Sequence, residues 1–386
     1  MSPIIKNTVF AQILQLLSRH SFKKCVDRYF GDRYIKSFDC WQQLLVLLYS
    51  QARGLKSLRE IEISLRSQYK KWYHLGLTSV ARSTLADANS KRSADILKDV
   101  FYDFLSKCQA LSPDHRFRFK NSLFIFDSTL IKPCLSMFPW AEYRKRKGAM
   151  KIHALLDHRG CLPSFLRVTK GNCSDIKVVK EKKYCFPRLL PDSIITVDRA
   201  YIDYNWFYSL TLNRVFFVTR AKKNTKYEVI GQQEVPKNKN VISDEIIRLT
   251  DKETKKDYPE RLRLITYYDK EKNVVLVFLT NNFKLAASTI AEIYKNRWQI
   301  EVFFKWIKQN LKIKTFLGTS ENAVMTRIWA AMIYYLLLSF IKFQTKLSYE
   351  LQELTRIIRE LLMENVSLLE ILRITLHDYK RLKLKT

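Results

Sequence analysis

The sequence predicts a mixed α/β chain: a sheet flanked by helices, carrying a β-rich insertion, between helical N- and C-terminal regions. Three observations lead there. Apolar residues recur at three- and four-residue spacing before about residue 115 and again after Ala286. Between those ends, short runs of Ile, Val, Phe and Leu follow one another at strand length. The chain of 386 residues, 47% hydrophobic and 13% aromatic, can bury a core of two or three structural units.

Within residues 1–115, Val9, Phe10, Ile13, Leu16 and Leu17 mark one apolar helix face, and Trp41, Leu44, Leu45, Leu47 and Leu48 mark another. Ser83 is placed to cap a short helix that carries Lys91 and Arg92. With the turn at Gly76, this segment reads either as a helix-turn-helix or as an ordinary bundle with a solvated basic face.

The pattern changes after Pro113. Segments 122–126, 152–156, 162–168, 193–197 and 215–218 read as buried strands of a core that spans 116–221. Asp157-His158-Arg159-Gly160 makes a hairpin turn between the second and third, and about 25 residues before the fourth leave room for a crossover helix. Over 222–283 the character is β with polar loops, through 226–235, 242–249, 261–268 and 274–280, with a charged connection at 251–259. Helical periodicity returns to about Leu311, giving a 284–318 segment that completes the core. The last region, 319–386, holds helical patterns at 324–343 and 351–372 and a basic tail with Lys380, Arg381, Lys383 and Lys385.

Composition narrows the function. Lys and Arg number 68 against 37 Asp and Glu, a formal net charge of +31, which points to a polyanionic partner, nucleic acid above all. None of the 8 glycines lies in a dinucleotide fingerprint or a P-loop, which argues against an ATP-driven motor. The seven cysteines form no C-x-x-C pair and read as reduced thiols of a cytosolic protein. The first residues lack the apolar core of a signal peptide. The uncharged run at 328–341 falls short of the roughly 20 residues of a bilayer span. The six histidines show no metal-ligand spacing, so no zinc is expected.

Two apolar runs end in a carboxylate, Leu123-Phe124-Ile125-Phe126-Asp127 and Ile194-Ile195-Thr196-Val197-Asp198. A strand-end Asp at the margin of a sheet is costly unless it binds a cation, is paired, or caps the turn that follows; each of these two is open to either reading. Asp157 belongs to a turn, and Asp175, Asp192 and Asp203 sit in loop or helix-start contexts. Tyr294, Arg297, Glu301 and Lys308 fall within about 60° of one another on a helical wheel. The residues around them include Trp298, Ile300, Val302, Phe303, Phe304, Trp306 and Ile307, so the helix is expected to be largely buried. Three carboxylates, Asp127, Asp198 and Glu301, could hold two divalent ions for in-line displacement at phosphorus, with Arg297 and Lys308 on phosphates and Tyr294 donating or stacking. Between Pro139 and Gly148 aromatics precede the run Arg144, Lys145, Arg146 and Lys147, which either grips a DNA backbone or is a solvated loop.

Asp127 in Phe-Asp-Ser-Thr, Asp198 in Val-Asp-Arg-Ala-Tyr, and the Tyr294, Arg297, Glu301, Lys308 series resemble the Asp-Asp-Glu transposases of the insertion-sequence-four family. The segments Lys151-Ile-His-Ala-Leu-Leu-Asp157-His-Arg-Gly160 and Val168-Thr-Lys-Gly171 match as well. The resemblance covers most of the chain and implies a ribonuclease-H-like catalytic core. It makes Asp127, Asp198 and Glu301 the metal ligands and catalytic carboxylates, with two Mg²⁺ or Mn²⁺ ions. It makes Tyr294, Arg297 and Lys308 the contacts to element-end DNA. Where many relatives have a His before the Asp of the post-strand loop, this chain has Cys173-Ser174-Asp175, and no role is assigned there. The implied partners are double-stranded DNA, both terminal inverted repeats and target, and a second copy in a homodimeric synaptic complex. No membrane is implied, and the setting is a prokaryotic cytoplasm at the nucleoid. Two alternatives remain beside this reading: a nuclease of the same fold that cuts without joining, and a non-catalytic helix-turn-helix DNA-binding protein.

Overall fold

Capped, amphipathic helices lead the chain, because Thr8, Ser18, Asp39 and Ser57 each accept a first-turn backbone N–H. The computed structural model describes residues 7–72, 75–77, 80–131, 142–144, 147–235, 240–311, 318, 320–346 and 349–372. Its first helices are α1 (Val9–Leu14), α2 (Arg19–Arg28), α3 (Cys40–Arg53), α4 (Leu58–Ser67), α5 (Tyr69–Trp72), α6 (Arg82–Lys91) and α7 (Asp95–Leu111). The expected cap at Ser83 is corrected: α6 begins two residues earlier, capped at Ala81, which offers no side-chain acceptor, so Ser83 lies inside the helix.

The first core strands fall where the apolar runs place them, β1 (Leu123–Ile131), β4 (Met150–Asp157) and β5 (Leu162–Lys170), while the basic run between them carries two short strands that no apolar run marks, β2 (Glu142–Arg144) and β3 (Lys147–Gly148). After the short helix α8 (Asp175–Lys180) come β6 (Ile194–Val197), α9 (Tyr204–Leu212) and β7 (Phe216–Arg220). The insertion supplies β8 (Tyr227–Gln232), β9 (Val241–Leu249), β10 (Leu262–Asp269) and β11 (Val274–Thr280), and its charged connection is a helix, α10 (Lys252–Asp257), capped by Asp251. One nine-stranded sheet has the order β5-β4-β1-β6-β7-β11-β10-β9-β8. β5, β4 and β1 are antiparallel neighbours, while β6 runs parallel to both β1 and β7. This mixed sheet is the ribonuclease-H-like core, and the insertion extends it through the antiparallel β7–β11 pair.

Helices cover both faces. Ile125, Ile152, Ala154 and Leu156 belong to a cluster with the helices of both chain ends, whereas Phe126, Leu155 and Phe165 join β6, β7 and α9 in another; this is the period-two alternation of a sheet buried on both sides. The C-terminal part holds α11 (Ala287–Lys295), α12 (Trp298–Asn310), α13 (Glu321–Thr345) and α14 (Leu351–Leu361). α13 is long and apolar enough to cross a membrane, but 89% of its apolar window is buried within the protein, where it packs on α3, α6 and α7 as a core helix. The two helical ends share one core. Phe10 N–H donates to Leu362 O at 2.8 Å, Gln51 Nε2 to Asn310 O at 2.9 Å, and Arg327 Nη1 to Ser50 Oγ at 2.6 Å. At the β4–β5 turn Gly160 has φ +64, and a Cβ there would meet the Phe343 ring at 2.5 Å, so conformation and space both demand glycine.

Candidate active site

β1 alternates, and this decides what surrounds Asp127. Ile125 and Asp127 face the α12 side, while Phe126 and Ser128 face the other. β6 runs parallel beside β1, with Phe126 opposite Val197, and ends there, so Asp198 stands at a strand end; Asp127, expected at one, is corrected to mid-strand, because β1 continues to Ile131 against β4, and it neighbours Asp198 where the pairing with β6 stops. This requires the crossover that α8 and its flanking loops supply.

Arg297 organises the site. Its Nη1 donates to Asp127 Oδ2 at 2.7 Å and its Nη2 to Glu301 Oε1 at 2.7 Å, so a single guanidinium spans two carboxylates. The Tyr294 ring lies 5.9 Å from the guanidinium carbon. Asp127 Oδ1 accepts the Ser128 N–H at 2.8 Å and the Tyr201 hydroxyl at 3.4 Å. Asp198 accepts the Ala200 N–H at 3.0 Å, capping the turn Arg199–Tyr201. Burial pushes the Asp127 carboxyl up to about 6, with the charges of Asp198 and Asp175 adding to it against the Ser128 N–H and Arg297. Burial works to lower Arg297, yet the carboxylates around it hold its pKa above the ordinary value.

The expected single helix through residues 294–308 is corrected. It breaks at Asn296 and Arg297, so Tyr294 lies in the last turn of α11 and Arg297 caps the start of α12. Ile300, Phe303, Phe304, Trp306 and Ile307 are buried as expected, but Trp298 and Val302 are 56% and 44% exposed. They flank Glu301, itself exposed, on an open surface. Lys308 stands exposed about two turns beyond Glu301. The side chains of Arg144 and Lys147, and all of Lys145 and Arg146, lie outside the described residues, as does the basic tail.

Sequence reasoning passed over Asp175. On the opposite face from Asp127, its carboxylate meets the Ser128 hydroxyl, lies 3.2 Å from His153 Nδ1 and 3.4 Å from Lys151 Nζ. Burial works to raise its carboxyl, but the bonds from His153 and Ser128 and the Lys151 charge outweigh that and hold it below the ordinary range. His153 Nε2 in turn bonds Thr169 Oγ1 at 2.9 Å. A signal was available: Lys151 and His153 alternate on one face of an otherwise apolar strand, and His153 is opposite Ser128. The other acidic candidates have local partners: Asp157 holds Arg159, Asp192 holds Arg214, and Asp203 caps α9 and pairs with Lys180.

All three carboxylates offer oxygen donors, the set that hard divalent ions prefer. Among the described residues no three His, Cys, Asp or Glu side chains converge closely enough to hold an ion as they stand. Arg297 is the cation between Asp127 and Glu301.

Residues 118–337 match a family model described as a transposase DDE domain, and residues 5–78 match a domain of unknown function (DUF4372). The chain is 33% identical to a protein described as transposase y4zB of Sinorhizobium fredii, over 67% of this chain and 71% of that one. It is 29% identical to a transposase described for insertion sequence IS5377 of Geobacillus stearothermophilus, over 70% of each. Identity is 23% to one described for IS4SA of Synechocystis, over 82% of this chain and 88% of that one. Among solved structures it is similar to a cryo-EM structure of a piggyBac transposase synaptic complex with hairpin DNA, at 13% identity and TM-score 0.46, over 97% of this chain and 83% of that one. With the family model covering more than half of the chain, the chain belongs to the DDE transposases of insertion sequences, of the IS4 type.

Proposed function

We propose that this transposase cleaves the ends of its insertion sequence and joins the freed 3′-hydroxyl to target DNA by two-metal phosphoryl transfer. The observation that carries the reading is the meeting of Asp127 and Glu301 on Arg297, beside the point where Asp198 ends β6. Asp127, Asp198 and Glu301 would hold two Mg²⁺ or Mn²⁺ ions, which supply activation of water or the 3′-hydroxyl and stabilisation of the leaving oxygen.

The chain's own residues do the rest. Arg297, bidentate and fixed at both ends, keeps Asp127 and Glu301 aimed at one place, and it can pass a nitrogen to a phosphate oxygen that enters there. Lys308 and the exposed Trp298 extend that surface along α12, with Lys308 for backbone phosphates and Trp298 for stacking. Tyr294 is buried against Phe278, with ring centroids 5.1 Å apart, and supports Arg297 from below. The Arg144–Lys147 run and the 1–115 helical region are further proposed DNA contacts, and synapsis of two ends makes a homodimer the proposed assembly on DNA at the nucleoid.

The test is cleavage and strand transfer on a labelled duplex carrying the native element end, with Mg²⁺, Mn²⁺ or EDTA. Wild type should nick and join only with metal, and Asp127→Ala, Asp198→Ala and Glu301→Ala should each lose about 100-fold or more in rate. Nicking without a joined product would replace this reading by a nuclease, and DNA bound but uncut under either metal would replace it by a binding protein.

A further inference from the structure

The Val-Asp-Arg-Ala-Tyr segment supplies more than Asp198. β6 stops at Val197, opposite Phe126, so from Asp127 onward β1 keeps β4 on one side and pairs with no strand on the other among the described residues. The turn Arg199–Tyr201 follows directly on the end of β6. Asp198 builds it, its carboxylate accepting the Ala200 N–H and its carbonyl the Tyr201 N–H, each at 3.0 Å. The turn ends on Tyr201, 2% exposed, whose ring meets that of Phe126 edge-on with centroids 5.2 Å apart.

Packing explains the ring but not the hydroxyl, since a phenylalanine would fill the same space and a buried O–H is costly unless it is bonded. This hydroxyl reaches Asp127 Oδ1 at 3.4 Å and also meets the Ser128 hydroxyl. Of the two acceptors within its range, the carboxylate is the stronger. Asp127 is thereby held at both oxygens: Oδ1 by the Ser128 N–H and Tyr201, Oδ2 by Arg297. Tyr201 differs from the other two holders in its origin, because the turn that carries it starts on the Asp198 carboxylate. The placing of one carboxylate is thus tied to that of the other. Carboxylates that share an ion need such partners to keep their orientation.

We infer that Tyr201 is a positioning residue: its hydroxyl, carried on the turn that Asp198 caps, sets the Asp127 carboxylate relative to Asp198 so that both can serve one divalent ion. The inference rests on the transposase reading above and adds to it a residue outside the three carboxylates and α12.

The experiment titrates Mn²⁺ into full-length protein bound to a pre-cleaved end that terminates in a 3′-deoxy nucleotide, so that no joining follows, and reads bound Mn²⁺ by electron paramagnetic resonance. Tyr201→Phe keeps the ring and should melt at the wild-type temperature and bind the end with wild-type affinity. It should weaken Mn²⁺ binding about tenfold, and slow cleavage of the intact end by a similar factor at saturating DNA. Asp127→Asn weakens Mn²⁺ by itself, and adding Tyr201→Phe should then weaken it no further, because the hydroxyl acts through that carboxylate. Mn²⁺ affinity unchanged in Tyr201→Phe, or lowered by the same factor in the Asp127→Asn background, overturns the inference. Wild-type protein that binds no Mn²⁺ beside the end and leaves the intact duplex uncut overturns the transposase reading and the inference with it.

Discussion

Arg297 holds two carboxylates at once, and its replacement tests whether that bridge matters for chemistry. Arg297→Ala should lower the cleavage rate about 100-fold while weakening DNA binding much less, because misaimed catalytic groups cost rate more than affinity. Arg297→Lys should recover little of it, since an ammonium cannot bridge Asp127 and Glu301 as a planar fork does. Cleavage by the Ala variant within threefold of wild type would show the bridge to be idle. A second residue-scale effect concerns pH. Burial, with the charge of His115 adding, pushes His158 down to about 4, and burial lowers His153 too. Both bind fewer protons folded than unfolded, where histidine titrates near 6.5, so their neutral forms stabilise the fold fully above about pH 6.5 and lose this as pH falls toward 4. For His158 the loss is roughly 3 kcal/mol. Neither of its ring nitrogens has a partner among the described residues, and its ring sits 5.7 Å from that of Phe117. His158→Phe should therefore flatten the decline in urea midpoint between pH 7 and 5, and an unaltered decline would place the effect elsewhere.

At the scale of elements, the insertion is pinned by a buried ion pair. Arg263 on β10 meets Asp244 on β9 at 2.6 and 2.8 Å, and its Nη1 also donates to the carbonyls of Asn282 and Leu285 ahead of α11. Arg263→Ala strands a buried carboxylate and should cost about 3–5 kcal/mol, whereas Arg263→Met with Asp244→Leu should cost much less; urea unfolding of the three proteins measures the difference. Asn281 does a similar service between β11 and β7, accepting the Phe217 N–H and donating to Val215 O. The strands of the nine-stranded sheet were legible, since each contains a run of β-formers bounded by turns, whereas the short β2 and β3, Glu-Tyr-Arg and Lys-Gly, were not. The break between α11 and α12 was not. Asn296 and Arg297 include neither Gly nor Pro, the apolar period continues across them, and what holds Arg297 at the opening of α12 is its bond to Asp127, 170 positions away. Helical periodicity carries no trace of such a contact.

For the whole molecule, the charge of +31 predicts steep salt dependence. If six or more phosphates are neutralised, affinity for the element end should fall by about 10³ between 50 and 200 mM salt. A flat titration would mean that the cations are not arranged along a DNA backbone. The sequence by itself determined the kind of molecule: a mixed sheet between helical ends, a nucleic-acid partner, and Asp127, Asp198 and Glu301 as the residues to watch. Local rules suffice for this, because strand and helix periods, turn residues and net charge are properties of neighbours along the chain. Tertiary structure alone decided that β6 runs parallel beside β1, that the insertion lengthens the core sheet, and that α3, α13 and α14 from opposite ends of the chain share one core. It also brought Asp175, His153 and Lys151 to the face of β1 opposite Asp127, and set Arg297 between two carboxylates. Strand order and side-chain convergence follow from which apolar faces bury one another across hundreds of residues, and that choice is made by the folded whole.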